Sequence, residues 1–108
     1  ETFGFDSKTE FPFMALLKKE IFGVKDIFEI DNEDIDNLIN VTRDIIERIK
    51  TDTKIVDFWN NHTKQKQLRT FIASHLLTVF RQKAMPKRKE LSQKLLELSY
   101  HIYGRTKI

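Results

Sequence analysis

The chain contains no cysteine, which excludes disulfide staples, thiolate metal sites and cysteine nucleophiles and suits a reducing compartment. Glycine and proline are also scarce, three and two among 108 residues, a balance that disfavours the many tight turns of a β-sandwich. The three glycines, Gly4, Gly23 and Gly104, stand far apart, so neither a phosphate-cradling loop nor a dinucleotide fingerprint can form. No apolar run is long enough to span a bilayer, and no basic stretch followed by an apolar one marks a signal peptide. With Glu1 where an initiator methionine would stand, the expectation is a fragment of a longer protein without a membrane partner. His62, His75 and His101 lack both His-x-x-x-His spacing and a carboxylate in register. A metal site, a resident cofactor, a small-molecule substrate and catalysis by this chain are therefore not expected.

Leu, Ile, Lys and Glu are plentiful, and 40% of the residues are apolar, enough for one hydrophobic core. A chain of this length buries about two-thirds of its unfolded surface on folding. The expectation is a single all-α domain over residues 1–108, with about four main helices and a short connector turn.

Ser7 and Glu10 have capping-box spacing and Pro12 suits a first turn, which predicts a helix over about residues 10–22 that Gly23 ends. Phe13, Met14, Leu17 and Ile21 form its apolar stripe. Residues 24–30 have no sustained period and read as a connector or a single turn. Asp31 reads as the N-cap of a second helix, with Glu33, Asp34 and Asp36 near the positive end of its dipole. Ile35, Leu38, Ile39, Thr42, Ile45, Ile46 and Ile49 then fall within a sector of about 120°. The apolar cluster from Ile55 through Val56, Phe58 and Trp59 is too short to stand alone and must pack on something, with Asp57 as a cap within it. A third helix is predicted over about residues 63–83, burying Leu68, Phe71, Ile72, His75, Leu76 and Val79, with His75 as a hydrogen-bonded core histidine. A fourth over about 87–103 buries Leu91, Leu95, Leu98 and Ile102, and Gly104 reads as its C′ residue. Leu77 and Phe80 on the third helix, and Leu96, Tyr100 and Tyr103 on the fourth, turn away from these stripes. One small core does not readily absorb both faces of both helices, so part of this second set is expected at a partner surface. Tyr100 and Tyr103 suit that role best, and Trp59 either joins them or anchors the connector on the core.

The net charge of +3 conceals an uneven division. Residues 1–61 carry 8 Lys/Arg against 14 Asp/Glu, a net of −6, whereas residues 62–108 carry 11 against 2, a net of +9. A half so rich in cations points to a polyanion, unless the two halves neutralise each other on folding. The candidate DNA contacts are Lys64, Lys66, Arg69, Arg81, Lys83, Lys87, Arg88 and Lys89, the last three within the densest charge run. No Gly-bearing turn sets up a helix-turn-helix and no aromatic platform lies among these cations, so contact should be with the backbone of duplex DNA, without sequence preference.

The run Ile-Val-Asp-Phe-Trp-Asn-Asn-His-Thr-Lys-Gln-Lys-Gln-Leu-Arg-Thr-Phe-Ile at 55–72 resembles the C-terminal domain of the motor (restriction) subunit of type I restriction-modification enzymes. A helix leading into an apolar-Asp-Phe-Trp segment, a Lys-Gln-x-x-Leu-Arg helix and a Leu-x-x-Leu-x-x-Leu helix recur in that order at 45–49, 56–59, 64–69 and 91–98. The likeness spans roughly residues 35–103 and leaves the first helix outside it. It implies the tail of a bacterial, cytoplasmic motor subunit whose nuclease and ATP- and Mg-dependent helicase modules lie upstream. The resemblance further implies a non-catalytic docking domain that holds the motor on the methyltransferase (modification) subunit, with DNA running between them. Tyr100, Tyr103 and Trp59 would then be the docking residues. The alternative is a structural helical cap that packs only on the rest of its own chain.

Overall fold

Four α-helices follow one another in the computed structural model, and no strand is present among the described residues, which are 3–23 and 26–104 with Ile27 through its backbone only. Val24 and Lys25 of the expected connector, and Arg105 and Lys107 of the basic half, lie outside them. α1 is Phe11–Phe22, α2 Asn32–Asp52, α3 His62–Phe80 and α4 Arg88–Tyr103. Each helix packs on the next, and α4 returns to α1, so the four close around one core.

α1 begins where Pro12 fits the first turn and ends at Gly23, whose φ of 75° suits a residue without a Cβ. The lead-in is capped one residue earlier than the Ser7 spacing predicts. The Asp6 carboxylate accepts from the Lys8 and Thr9 amides at 3.1 and 2.8 Å and from the Thr9 hydroxyl at 2.8 Å, while Glu10 reaches back to the Asp6 amide at 2.9 Å. A carboxylate satisfies these donors more strongly than a serine hydroxyl does. Those bonds, the side-chain bond from Thr9 first, hold the Asp6 carboxyl below its ordinary pKa.

α2 buries Leu38, Val41, Thr42, Ile45, Ile46 and Ile49. Val41 was not part of the expected stripe, and it is covered because α2 packs against both α1 and α3. Thr42 is satisfied locally, donating to the Leu38 carbonyl at 2.7 Å. Asp31 occupies the N-cap position, yet its side chain makes no cap bond.

The cluster before α3 packs only in part. Phe58 is buried and Trp59 half-buried against it at 4.8 Å, but Ile55 and Val56 are exposed, Val56 by 84%. Asp57 occupies the N-cap position of the Phe58–Asn60 turn, yet its side chain makes no cap bond and its backbone takes the left-handed conformation, at φ 60°. Asn61 performs the capping, accepting from the Lys64 amide at 3.0 Å.

α3 stops at Phe80, short of the expected 83, because Arg81 adopts a φ of 52°. Two single 3₁₀ turns, Arg81–Lys83 and Met85–Lys87, then make an ordered corner about the buried Ala84. Phe80, off the main stripe of α3, is buried because the end of α1 covers it, the Phe22 ring meeting it edge-on at 5.8 Å. His75 is half-exposed rather than in the core, with Nε2 3.0 Å from Asp44 Oδ2 and its ring stacked on Phe71.

In α4 the second side is mostly absorbed. Leu96 is buried, as are Ser92 and Ser99, whose hydroxyls donate to the Lys89 and Leu95 carbonyls at 2.9 and 2.8 Å. Gly104 ends α4, its amide donating to the Tyr100 carbonyl at 2.9 Å, with an ordinary φ of −71°. A Cβ there would lie 2.6 Å from Tyr100 atoms, so close approach is what favours glycine.

Candidate nucleic-acid interface

Between α3 and α4 runs a groove of about 420 Å³. Helical spacing builds both walls. Lys66, Arg69, Thr70, Ala73, Ser74 and Leu77 recur at three- and four-residue steps along α3, and Arg88, Lys89, Ser92 and Gln93 do so along the first turns of α4. Four cations therefore share one groove, and no carboxylate lines it.

The neighbouring charges sharpen this asymmetry. Lys94 is occupied elsewhere, bridging Glu20 at 3.1 Å and Glu90 at 3.3 Å, and its hydrogen bonds to Glu20 and then Glu90 raise its pKa above the ordinary value. Arg88 is braced by donating Nη1 to the Met85 carbonyl. Lys87, Arg88 and Lys89 also crowd the N-terminus of α4, which has no side-chain cap and holds Glu90 as its first acidic residue. Cations at the positive end of a helix repel its dipole by about 0.3–1 kcal/mol each, a cost that a bound anion relieves.

The eight expected DNA contacts thus separate. Lys66, Arg69, Arg88 and Lys89 come together in the groove. Lys83 and Lys87 are tied inward instead: Lys83 pairs with Asp34 at 3.0 Å and lies 5.3 Å from the Phe22 ring centre, and Lys87 donates to the Glu20 carbonyl at 2.8 Å. Arg81 borders a separate depression with Leu77, Phe80 and Met85, and Lys64 sits in the first turn of α3. No family model, curated protein or solved structure matches the chain.

The three expected docking residues divide as well. Trp59 and Tyr100 meet edge-to-face at 5.1 Å, and Tyr100 is 46% exposed. They border a small depression with Gln65, Gln93 and Glu97, and Gln93 belongs to the basic groove too, so one face of α4 carries cations at its start and aromatics toward its end. Glu97 accepts from Gln93 Nε2 at 3.1 Å and marks the boundary between the two. Tyr103 is elsewhere: it stacks on Phe13 at 6.4 Å, and its hydroxyl donates to the Thr9 carbonyl at 3.4 Å. Burial raises its pKa. It fastens α4 to the start of α1 and is not part of the exposed aromatic pair.

Among the described residues no three His, Asp or Glu side chains cluster as a metal site requires, and no helix is long and apolar enough to cross a membrane. The polar members of the groove, Thr70, Ser74, Ser92 and Gln93, were not anticipated. Their signal was present in the sequence as small polar residues in register with Arg69 and Lys89 on facing helices, a pattern that needs the pairing of α3 with α4 to be seen.

Proposed function

We propose that the chain is a non-catalytic docking domain whose α3–α4 face lies along the backbone of duplex DNA. The observation that carries this reading is the convergence of Lys66, Arg69, Arg88 and Lys89 on one groove without a lining carboxylate. Such cations serve phosphate contact, and nothing in the groove has the form of a base-reading element, so binding is indifferent to sequence. The resemblance of residues 55–72 to type I restriction motor subunits supplies the setting, a bacterial cytoplasmic complex. In that setting Trp59 and Tyr100 meet the methyltransferase subunit beside the DNA, and ATP and Mg belong to upstream modules of the parent subunit.

The test is the salt dependence of binding to a short duplex. Four phosphate contacts give a slope of log K against log salt of about −3.6, or about 150-fold loss of affinity from 50 to 200 mM. Replacing Lys66, Arg69, Arg88 and Lys89 by alanine should flatten that slope toward zero, whereas replacing Lys83 and Arg81 should leave most of it. An unchanged slope in the first variant moves the DNA site elsewhere. Co-elution of the chain with the methyltransferase core in gel filtration, with and without DNA, separates docking from a cap that packs only on its own chain.

A further inference from the structure

The acidic half of the chain has no part in the reading above, and two features of the fold do nothing for the isolated molecule. Phe28 is 91% exposed, although a phenylalanine stabilises a fold by being buried. Arg81 holds φ 52° and ψ −119°, a conformation that glycine takes freely and that costs an arginine folding free energy. Among the described residues the exposed Arg81 guanidinium has no hydrogen bond, ion pair or ring contact that would offset this strain.

Both side chains are nevertheless carried on fixed frames. The Asp26 carboxylate accepts from the Phe28 amide at 3.1 Å and Glu29 accepts from the Asp26 amide at 2.9 Å, so a self-capped turn presents the ring between two exposed acidic residues. Arg81 opens the corner about the buried Ala84 and lines an open depression of about 630 Å³ with Leu77, Phe80, Gln82, Lys83 and Met85. Phe80 is buried, Leu77 half-buried and Met85 46% exposed, and both charged residues of the lining are cations. Preorganised surfaces of this kind lose little entropy on binding.

The two surfaces complement each other. The turn offers a bulky apolar ring flanked by carboxylates, and the corner offers an apolar depression beside an unengaged arginine. They are also neighbours: Lys83 lines the depression at the corner and a second one that contains Glu29, Asp31 and Asp34, where it pairs with Asp34 at 3.0 Å. A knob and a matching depression on one face suit a two-fold pair, in which each copy seats its knob in the other. A phosphate backbone would engage Arg81 but would leave the apolar side chains of the depression unused.

We infer that the chain pairs with a second copy of itself across a two-fold axis. The Phe28 ring of each copy enters the other's depression beside Leu77 and Met85, and the Asp26 and Glu29 carboxylates meet the other's Arg81. Neither surface includes the four cations of the α3–α4 groove, so this inference and the DNA reading fail separately.

Sedimentation equilibrium of the whole chain should give a mass that rises with concentration and reaches the dimer below about 1 mM. Phe28→Ala and Arg81→Gly should each weaken pairing at least about tenfold with unchanged helical circular dichroism. At concentrations where parent and variant are monomeric, Arg81→Gly should raise the urea midpoint, because glycine removes the backbone strain. The two variants mixed should pair at least about fivefold more tightly than either alone, since one contact is then complete and both losses fall on the other. Chemical-shift changes on dilution of the parent chain should centre on the methyls of Leu77 and Met85. A mass that stays monomeric or grows past the dimer, a mixture no tighter than its components, or shifts centred elsewhere would overturn the proposal. An Arg81→Gly midpoint below the parent's would overturn it too, by showing that the arginine serves the isolated fold.

Discussion

Ile72 lies at the centre of α3, has no exposed surface and belongs to the core that α2 and α4 also build. Replacing it by alanine removes three carbons, about 2.4 kcal/mol of transfer free energy at about 0.8 kcal/mol per buried methylene. The neighbouring helices are fixed by their own contacts and cannot collapse fully into the space, so a cavity contribution adds to this. The expected cost is about 3–5 kcal/mol, in the upper part of the range for such changes. Ile46 on α2 is buried nearly as completely and should behave alike. Val56→Ala, at a position 84% exposed, is the control and should change stability by less than about 0.5 kcal/mol. Urea denaturation followed by circular dichroism reads all three, and the slopes must agree for the midpoints to be compared. A loss below about 1 kcal/mol at Ile72 would refute the assignment of the α3 face to the core.

The lead-in to α1 should make stability acid-sensitive. Lys50, which lies 2.5 Å from Glu10, is the main reason the Glu10 carboxyl is held below its ordinary value of 4.5, with the Asp6 amide second. A carboxyl with a depressed folded pKa contributes stability fully above its unfolded value and loses it as pH falls through the folded one. Glu10→Gln should therefore lower the urea midpoint at pH 7 and converge with the parent chain at strongly acidic pH; parallel curves down to that pH would remove the argument. The tyrosines should separate cleanly: Tyr100→Ala should preserve the urea midpoint and weaken the proposed assembly with the methyltransferase core by about 1–2 kcal/mol, while Tyr103→Ala should lower the unfolding free energy read from the urea transition by about 3 kcal/mol. The reverse pattern would put Tyr103 at the partner surface and Tyr100 in the core.

The helices were legible because each carries a period of 3.6 residues and a stop at its end. α2 shows this best, with six of its seven expected apolar-stripe positions recovered as buried or half-buried isoleucine and leucine and the seventh as Thr42. What periodicity cannot supply is the neighbour that covers a second face. Phe80 stood off the main stripe and Tyr103 was read as outward for that reason, and the two ends of α1 pack on them, through Phe22 and Phe13. Ile55 and Val56 erred the other way: apolar composition does not say that a turn around Phe58 buries one ring and leaves two aliphatic side chains in water. The charge run at 83–89 was legible as a cluster but not as a geometry. Adjacent residues there serve different helices, Lys83 reaching α2, Lys87 reaching α1, and Arg88 and Lys89 facing α3.

That divergence depends on Ala84. Its amide donates to the Arg81 carbonyl and its carbonyl accepts from the Lys87 amide, each at 3.1 Å, so both 3₁₀ turns share this one residue. Its methyl is fully buried. The corner can therefore swivel only if that methyl leaves the core, and the junction behaves as a rivet rather than a hinge. Bulky residues have no room at the rivet, and the cations on either side of it, Lys83 and Lys87, are anchored to α2 and α1. One small apolar residue thus sets where each of these charges leaves the backbone, and the divergence of the charge run is built into the packing of the corner.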